Sequence, residues 1–161
     1  MIPKDKILYM DEAGIDNRLH REKARAPRGI KVVAFVPGSR KERISIIGGW
    51  IQKKFVAPMT FKGGCNAEVL NTWLKEVLLP QVAPGTTIVM DNAAFHKSVE
   101  TKKLIEEAKC FLKFLPTYSP DLNPIECIWH QIKSILRPLV QRGIEDLSEL
   151  ISKGLLIMQI I

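Results

Sequence analysis

The sequence has few cysteines and no long apolar run. Its three cysteines, Cys65, Cys110 and Cys127, are far apart and form no Cys-x-x-Cys pair. An odd number of scattered thiols indicates neither a disulfide framework nor a zinc knuckle. No apolar run approaches the roughly 18 to 20 residues that span a bilayer, and the first residues lack the apolar stretch of a secretory signal. These absences predict a cytoplasmic protein with no membrane segment.

The composition predicts one globular domain over residues 1–161, with 46% apolar and 25% charged residues. The formal net charge of +7 favours a polyanionic partner. Basic residues are concentrated between positions 18 and 43, a basic segment in which only Glu22 and Glu42 are acidic. These basic residues are Arg18, Arg21, Lys23, Arg25, Arg28, Lys31, Arg40, Lys41 and Arg43. Their density suits contacts with DNA phosphates, and a solvated loop is the alternative.

Apolar patterning predicts the order of strands and helices. Strands are expected at residues 7–10, 31–36, 43–48, 50–58, 86–90 and 110–115, with a long turn over residues 14–29. Helices are expected from the Asn66 cap to residue 78, over about 98–108, from Pro124 onward and over 144–158. A meander of strands followed by strands alternating with helices predicts an α/β fold, with a mixed sheet flanked by helices.

Three acids stand at conspicuous places in this pattern. Asp11 and Asp91 each follow an apolar strand directly, and Glu126 lies in the first turn of a predicted helix. If the two strands are neighbours, both aspartates emerge at the same edge of the sheet, where the helix can add Glu126. Such a cluster suits Mg²⁺ or Mn²⁺, and two ions about 3.5 to 4 Å apart can support in-line displacement at phosphorus.

Each acid also has an ordinary structural interpretation. Asn123, followed by Pro124 and then Glu126, has the spacing of a capping box at a helix start. Asp91 and the Asn beside it can simply form a turn, and Asp11 can be an acid at a strand end. From the residues alone, both the metal site and these structural roles stay open.

Three segments resemble, in order, the three motifs of the bacterial insertion-sequence branch of the Tc/mariner transposase superfamily. They are residues 9–14 (YMDEAG), 88–96 (IVMDNAAFH) and 115–129 (LPTYSPDLNPIECIW). Asp91 and Glu126 have 34 residues between them, the separation of this superfamily's Asp-Asp-Glu signature. Residues 38–49 (GSRKERISIIGG) resemble the family's strand pair, so the resemblance covers nearly the whole chain. It implies an RNase H-like fold with a mixed five-stranded sheet and with the acids on strands one and four and on a late helix.

The resemblance also implies a function. Asp11, Asp91 and Glu126 would hold two Mg²⁺ or Mn²⁺ ions for hydrolytic nicking at the ends of a mobile element. The freed 3′-hydroxyl would then attack target DNA, commonly at a TA step, without a covalent protein intermediate. The implied partners are the terminal inverted repeats, the target DNA and a second copy of the chain in a homodimer, so the protein would associate with the bacterial nucleoid when on DNA.

Five further residues match the motifs and are expected to support the acids. Asn92 and His96 belong to the second motif, in which His96 could orient a carboxylate, touch a phosphate or cap the following helix. Of these, the structural role is favoured. Tyr118, Asn123 and Trp129 match the third motif and suggest packing and capping that aims Glu126.

The resemblance departs from the family at the amino terminus. Relatives carry an N-terminal helix-turn-helix region that binds DNA, whereas here the first catalytic strand begins at about residue 7. The chain is therefore expected either to work with a separately encoded helix-turn-helix part or to be a remnant of a decayed element. The alternatives to an active transposase are an inactive DNA-binding or regulatory protein and an RNase H-like nuclease.

Overall fold

Five strands form one mixed sheet in the computed structural model, which describes residues 3–16, 28, 43–117, 119–141 and 149. The sheet order is β3-β2-β1-β4-β5. The strands are β1 (Ile7–Asp16), β2 (Arg43–Ile51), β3 (Lys54–Lys62), β4 (Thr87–Met90) and β5 (Phe111–Phe114). The central strand of the first three, β2, is antiparallel to both β1 and β3, whereas β4 is parallel to β1 and β5 is parallel to β4. The prediction of a mixed five-stranded sheet is confirmed.

Three main helices accompany the sheet within the described residues. They are α1 (Ala67–Trp73), which continues through Leu74–Leu78 and Leu79–Gln81 in π and 3₁₀ geometry, α2 (Val99–Glu107) and α3 (Ile125–Gln141). Single 3₁₀ turns lie at Lys4–Lys6, Ala94–Lys97 and Pro120–Leu122. The side chains of Asn66 and Ser98 cap α1 and α2 because each accepts a hydrogen bond from a free backbone N–H of the first turn. None of the helices in the described ranges has the length and apolarity that a bilayer span requires.

The sheet is covered on both faces. Side chains of a strand alternate between faces, so Leu8 and Met10 of β1 pack with α1 and α2, whereas Ala13 and Ile15 pack under α3. The helix predicted from Pro124 onward is confirmed, and Ile125, Ile128, Trp129 and Ile132 on its apolar stripe are buried, whereas Ile135 is half-buried. The same alternation sends neighbouring residues 11 and 12 to opposite faces of the sheet. Asp11 therefore lies on the face of β1 that α3 covers, and Glu12 lies on the face that α1 and α2 cover.

The first strand is longer than predicted. The sequence places its end at Met10, but β1 continues to Asp16, and this boundary was wrong. The reason is β2, which pairs with β1 through every residue from Tyr9 to Asp16. Pairing with β4, in contrast, stops at Tyr9 opposite Val89. Asp11 therefore lies inside a strand, just beyond the point at which its parallel neighbour ends.

The predicted boundary between β2 and β3 was also wrong. The hairpin turns at Gln52 and Lys53, which both have positive φ, and the predicted break at Gly49 lies inside β2. The strand over residues 31–36 lies outside the described residues. So does the helix over 144–158, except for Glu149, which is helical and exposed.

Candidate active site

A cavity of about 350 Å³ brings together the three acids singled out in the sequence. Asp11 reaches it from β1, Asp91 from the residue after β4 and Glu126 from the first turn of α3. Because β1 and β4 are parallel neighbours, the acids that follow their pairing emerge at the same edge of the sheet. The remaining described lining residues are uncharged: Asn92, Ala93, Leu115, Pro116, Thr117, Ser119 and Asn123.

Asp11 is the most constrained of the three carboxylates. Its Oδ1 accepts a hydrogen bond from the backbone N–H of Glu12 at 2.8 Å. Its Oδ2 accepts from Asn123 Nδ2 at 3.4 Å and from Trp129 Nε1 at 3.3 Å. Burial, followed by the nearby Glu12 and Glu126 carboxylates, raises the pKa of Asp11 to about 7, although the Glu12 and Trp129 N–H groups act in the opposite direction.

The contacts of Asn123 and Trp129 differ from what the third motif suggests. Both side chains hold Asp11, on the other side of the cavity, instead of contacting Glu126. A capping box is not formed at the start of α3, because Glu126 N–H donates to the backbone carbonyl of Asn123 and the Oδ1 of Asn123 has no partner among the described residues. The structural interpretation of Asn123 and Glu126 as a reciprocal capping pair was therefore wrong.

Asp91 is held by His96 and by its own turn. Its Oδ1 accepts from the backbone N–H of Ala93 at 3.0 Å and lies 2.5 Å from His96 Nδ1. The His96 ring is completely buried, and its Nε2 lies 3.6 Å from Glu12 Oε2. Burial disfavours the charged imidazolium, but the Glu12 and Asp91 carboxylates outweigh it and raise the pKa of His96 above 6.5. Of the three roles considered for His96, carboxylate orientation fits these contacts, and Ser98 caps the helix instead.

Glu126 is the least restrained acid of the cavity. It is exposed, and within the described part of the chain its carboxylate accepts no hydrogen bond. Its backbone lies at the start of α3, where the free N–H groups and the helix dipole favour negative charge. The side chain is therefore free to adjust its position within the cavity.

The other predicted residues fall into two groups. Asn92 is exposed and donates to Thr117 Oγ1 at 3.1 Å, which ties the two loops of the cavity together. Tyr118 and most of the basic segment lie outside the described residues, apart from Arg28 and Arg43. Both are exposed, and the Arg43 guanidinium lies over Gly14. Neither lines the cavity.

Sequence reasoning missed the role of Glu12. The only signal for it is its position next to Asp11, because alternation along a strand puts it on the opposite face of the sheet. That face carries His96, which is 84 positions away along the chain and so could not be paired with Glu12 from the pattern.

Comparison with known families places the chain. A family profile described as DDE superfamily endonuclease matches residues 6–151. The chain belongs to this DDE superfamily. No curated protein sequence matches it.

Solved structures similar to this DDE superfamily chain share its fold. The Mos1 strand transfer complex has a TM-score of 0.66 and 19% identity over 94% of this chain and 46% of that one. The catalytic domain of Mos1 mariner transposase has a TM-score of 0.61 and 18% identity over 94% and 68%. A simian T-cell lymphotropic virus intasome has a TM-score of 0.66 and 10% identity over 96% and 48%. The predicted RNase H-like fold is confirmed, and the chain spans about half the length of the Mos1 transposase chain in the strand transfer complex.

The cavity of this DDE superfamily member fits a divalent metal ion in the chemistry of its donors. Three carboxylates meet there, and none of its described lining residues is Lys or Arg. Burial, followed by the Glu12 and Glu126 carboxylates, raises the pKa of Asp11, and a cation in the cavity would offset both effects. Mg²⁺ and Mn²⁺ prefer such oxygen ligands. Among the described residues no three acidic, His or Cys side chains already stand at metal-binding distances, so binding requires the carboxylates to move together.

Proposed function

We propose that the chain is the catalytic domain of a transposase from the bacterial insertion-sequence branch of the Tc/mariner superfamily. Its activity would be metal-dependent cleavage of DNA at element ends, followed by attack of the freed 3′-hydroxyl on a target phosphodiester, which releases a target 3′-hydroxyl, with a TA step preferred. The single observation that carries the proposal is the meeting of Asp11, Asp91 and Glu126 in one cavity without a basic side chain among its described lining residues.

In this proposal the three acids hold two Mg²⁺ or Mn²⁺ ions. When bound, such ions activate the attacking oxygen and stabilise the leaving oxygen of an in-line displacement at phosphorus. The solved Mos1 structures include a paired-end complex and a catalytic domain with Mn, which supports the choice of metal. Asp11 and Asp91 are already oriented by hydrogen bonds, whereas Glu126 can move inward from the start of α3.

The chain's own groups supply orientation in this reaction. Trp129, Asn123 and the N–H of Glu12 hold the Asp11 carboxylate, and His96 and the N–H of Ala93 hold that of Asp91. Fixing charged groups before the reaction lowers the reorganisation needed in the transition state. Asn92, Thr117 and Ser119 supply neutral polar groups on the cavity wall, where a DNA phosphate can approach without meeting a further negative charge.

The DNA itself would be held largely outside this cavity. The basic residues between positions 18 and 43 are proposed to contact phosphates, which gives affinity without sequence choice. Recognition of the terminal repeats would then require a helix-turn-helix part, and the paired ends would require a second copy of the chain. The similar Mos1 structures include a paired-end complex and a strand transfer complex, which supports DNA and a multimeric assembly as partners.

Nicking of supercoiled plasmid in Mn²⁺ tests the proposal. The purified chain is expected to nick DNA in Mn²⁺ and not in EDTA, and Asp91→Ala should abolish nicking while the circular dichroism spectrum is retained. Glu106→Gln is the matched control, because this exposed acid lines a different cavity at the opposite end of β4 and should not affect nicking. Nicking that persists in Asp91→Ala would overturn the site assignment.

The same preparation distinguishes the two alternatives. DNA binding without any nicking by the unaltered chain would identify an inactive remnant. Nicking without joining of a supplied 3′-hydroxyl end to target DNA would identify an RNase H-like nuclease. Joining that depends on Asp91 supports the transposase.

A further inference from the structure

Behind the cavity that contains the three acids, the fully buried His96 ring faces the partly buried Glu12 side chain. His96 is fully buried, with Nδ1 at 2.5 Å from Asp91 Oδ1 and Nε2 at 3.6 Å from Glu12 Oε2. A carboxylate therefore stands at each ring nitrogen. Because an imidazole has only these two polar atoms, this arrangement fixes the orientation of the ring. The edge of the Phe95 ring, with centroids 4.2 Å apart, packs against it.

The two facing atoms of this pair have no other partner among the described residues. Glu12 Oε2 and His96 Nε2 are both buried side-chain atoms without a hydrogen bond. A buried polar atom left without a partner costs about 1 to 3 kcal/mol. At 3.6 Å, a shift of a few tenths of an ångström would bring the two atoms to hydrogen-bond distance. Each is therefore the natural partner of the other.

Glu12 also contacts the second aspartate, Asp11. Its backbone N–H donates to Asp11 Oδ1, and its side chain lies on the opposite face of β1, against His96. His96 in turn contacts Asp91. Glu12 thus reaches both aspartates, Asp11 through its backbone N–H and Asp91 through the His96 imidazole.

This connection lies where the sheet no longer links the two strands. The pairing of β1 with β4 ends at Tyr9 opposite Val89, and both aspartates lie beyond that point. No backbone ladder between the two strands fixes the separation of the two carboxylates. Glu12 and His96 span the gap from the face of the sheet opposite to Trp129.

We propose that Glu12 and His96 are a positioning pair that sets the Asp91 carboxylate relative to Asp11 for metal binding. The inference rests on the proposed function, because it assumes that both aspartates are metal ligands. Neither Glu12 nor His96 binds the metal in this proposal. Groups that orient metal ligands typically change affinity about 10- to 100-fold when they are altered, so the effect is measurable in binding as well as in turnover.

Two substitutions of His96 separate its contacts. The amide nitrogen of Asn occupies the place of Nδ1, so His96→Asn can keep the hydrogen bond to Asp91. The amide of Gln reaches the place of Nε2, so His96→Gln can keep only the contact with Glu12. Both remove the ring and serve as controls for each other. Mn²⁺ affinity of the full chain is measured by isothermal titration calorimetry, with the melting temperature of each metal-free variant measured alongside.

Wild-type protein is expected to bind Mn²⁺ and Asp91→Ala to lose that binding. His96→Gln should weaken binding about tenfold or more, whereas His96→Asn, which keeps the hydrogen bond to Asp91 but loses the contact with Glu12, should weaken it by less. Glu12→Gln, which keeps the shape but removes the charge facing His96, should also weaken binding, and Glu106→Gln should not.

The results distinguish failure of the positioning pair from failure of the proposed function. Equal losses in His96→Asn and His96→Gln that follow their melting temperatures would show a merely structural histidine and overturn the pair. Unchanged affinity in His96→Gln or Glu12→Gln would overturn it as well. Mn²⁺ binding by wild type that is insensitive to Asp91→Ala, or no binding at all, would instead overturn the proposed function and the pair with it.

Discussion

At the scale of single residues, the site is built from acids that are held by groups distant in sequence. Asp11 accepts hydrogen bonds from Asn123 and Trp129, which are 112 and 118 positions away along the chain. These neutral donors orient the carboxylate without cancelling its charge. The negative charge is therefore kept available for a cation in the cavity.

Trp129→Phe tests the contribution of one such donor. The variant keeps most of the buried ring but loses the N–H that lowers the pKa of Asp11, so more Asp11 is protonated at neutral pH. We expect Mn²⁺ affinity to fall about tenfold and the free energy of unfolding to fall by about 1 kcal/mol. Calorimetric titration and denaturant unfolding measure the two effects.

Trp73→Phe is the matched control for this change. Trp73 is also buried and donates its Nε1–H to the carbonyl of Ala57 at 2.7 Å. It belongs to α1, which packs on the face of the sheet opposite to Trp129. It should lose stability without losing Mn²⁺ affinity. Equal loss of affinity in the two variants would contradict a specific role for Trp129.

The pH dependence of the metal-free protein follows from the shifted groups. The pKa of Asp11 is raised from 3.8 to about 7 and that of His96 is raised above 6.5, so the folded state binds protons more tightly than the unfolded state at both positions. The stability that these protons contribute is lost as pH rises through the folded pKa values. Between pH 5.5 and 8 in EDTA, we expect a loss on the order of 2 kcal/mol from Asp11.

Thermal unfolding across this pH range measures the effect. Asp11→Asn removes one of the two titrating groups and should make the pH dependence shallower. A stability that rises with pH in wild type, or an unchanged slope in Asp11→Asn, would show that the burial of Asp11 does not control this behaviour.

The three acids were predictable from the sequence, but their partners were not. Motif spacing and the position of each acid beside an apolar run place Asp11, Asp91 and Glu126 near one sheet edge. Which nitrogen contacts which carboxylate depends on how α3 crosses the sheet, and no local pattern contains that information. For this reason Trp129 and Asn123 were expected beside Glu126 and lie against Asp11 instead.

At the scale of elements, the β2–β3 hairpin packs against the residues that hold Asp11. Gly48 of β2 is paired opposite Asp11, and the Phe55 ring of β3 covers it. Phe55 in turn packs edge-on against Trp129, with ring centroids 5.5 Å apart. The absence of a side chain at Gly48 is what allows this aromatic layer to lie close to the sheet.

Gly48→Ala should therefore be destabilising, although alanine normally favours a strand over glycine. An added Cβ would meet Phe55 ring atoms at 2.4 and 2.5 Å, and overpacking of this kind costs about 1 to 3 kcal/mol. Denaturant unfolding measures the loss. Gly64→Ala, at a position with open space around it, should change stability by no more than about 0.5 kcal/mol.

A second substitution checks the cause. Phe55→Leu should relieve the clash, so the double variant with Gly48→Ala should be less destabilised than the sum of the two single variants. Additive losses would contradict the contact. The same ring layer explains why Trp129 is expected to be sensitive to changes in the hairpin.

The hairpin also shows what sequence patterning could not predict. The sequence predicts a break between two strands at Gly49, yet Gly48 and Gly49 both lie in β2, because the close approach of Phe55 and Leu8 requires their small size. The real turn uses Gln52 and Lys53 in left-handed conformation, which these residues adopt less readily than glycine. Length was misjudged in β1 for a similar reason, since pairing with β2 extends the strand through the acids to Asp16.

At the scale of the whole molecule, the sheet is buried on both faces and the acids lie where its parallel half ends. One face supplies Trp129 and Asn123 around Asp11, and the other supplies His96 between Asp91 and Glu12. The α/β class and the mixed sheet were predictable, because the order of strands and helices is visible in the apolar pattern. The two-sided support of the aspartates is a property of the folded sheet alone.

The central claim is that these carboxylates hold divalent metal, and a crystal structure with Mn²⁺ tests it most directly. Anomalous scattering should show Mn²⁺ between Asp11, Asp91 and Glu126, with Glu126 drawn inward and His96 still on Asp91. No anomalous density in the cavity, with the carboxylates apart and Glu126 folded back onto the backbone amide of Asn123, would contradict the account and favour an inactive remnant.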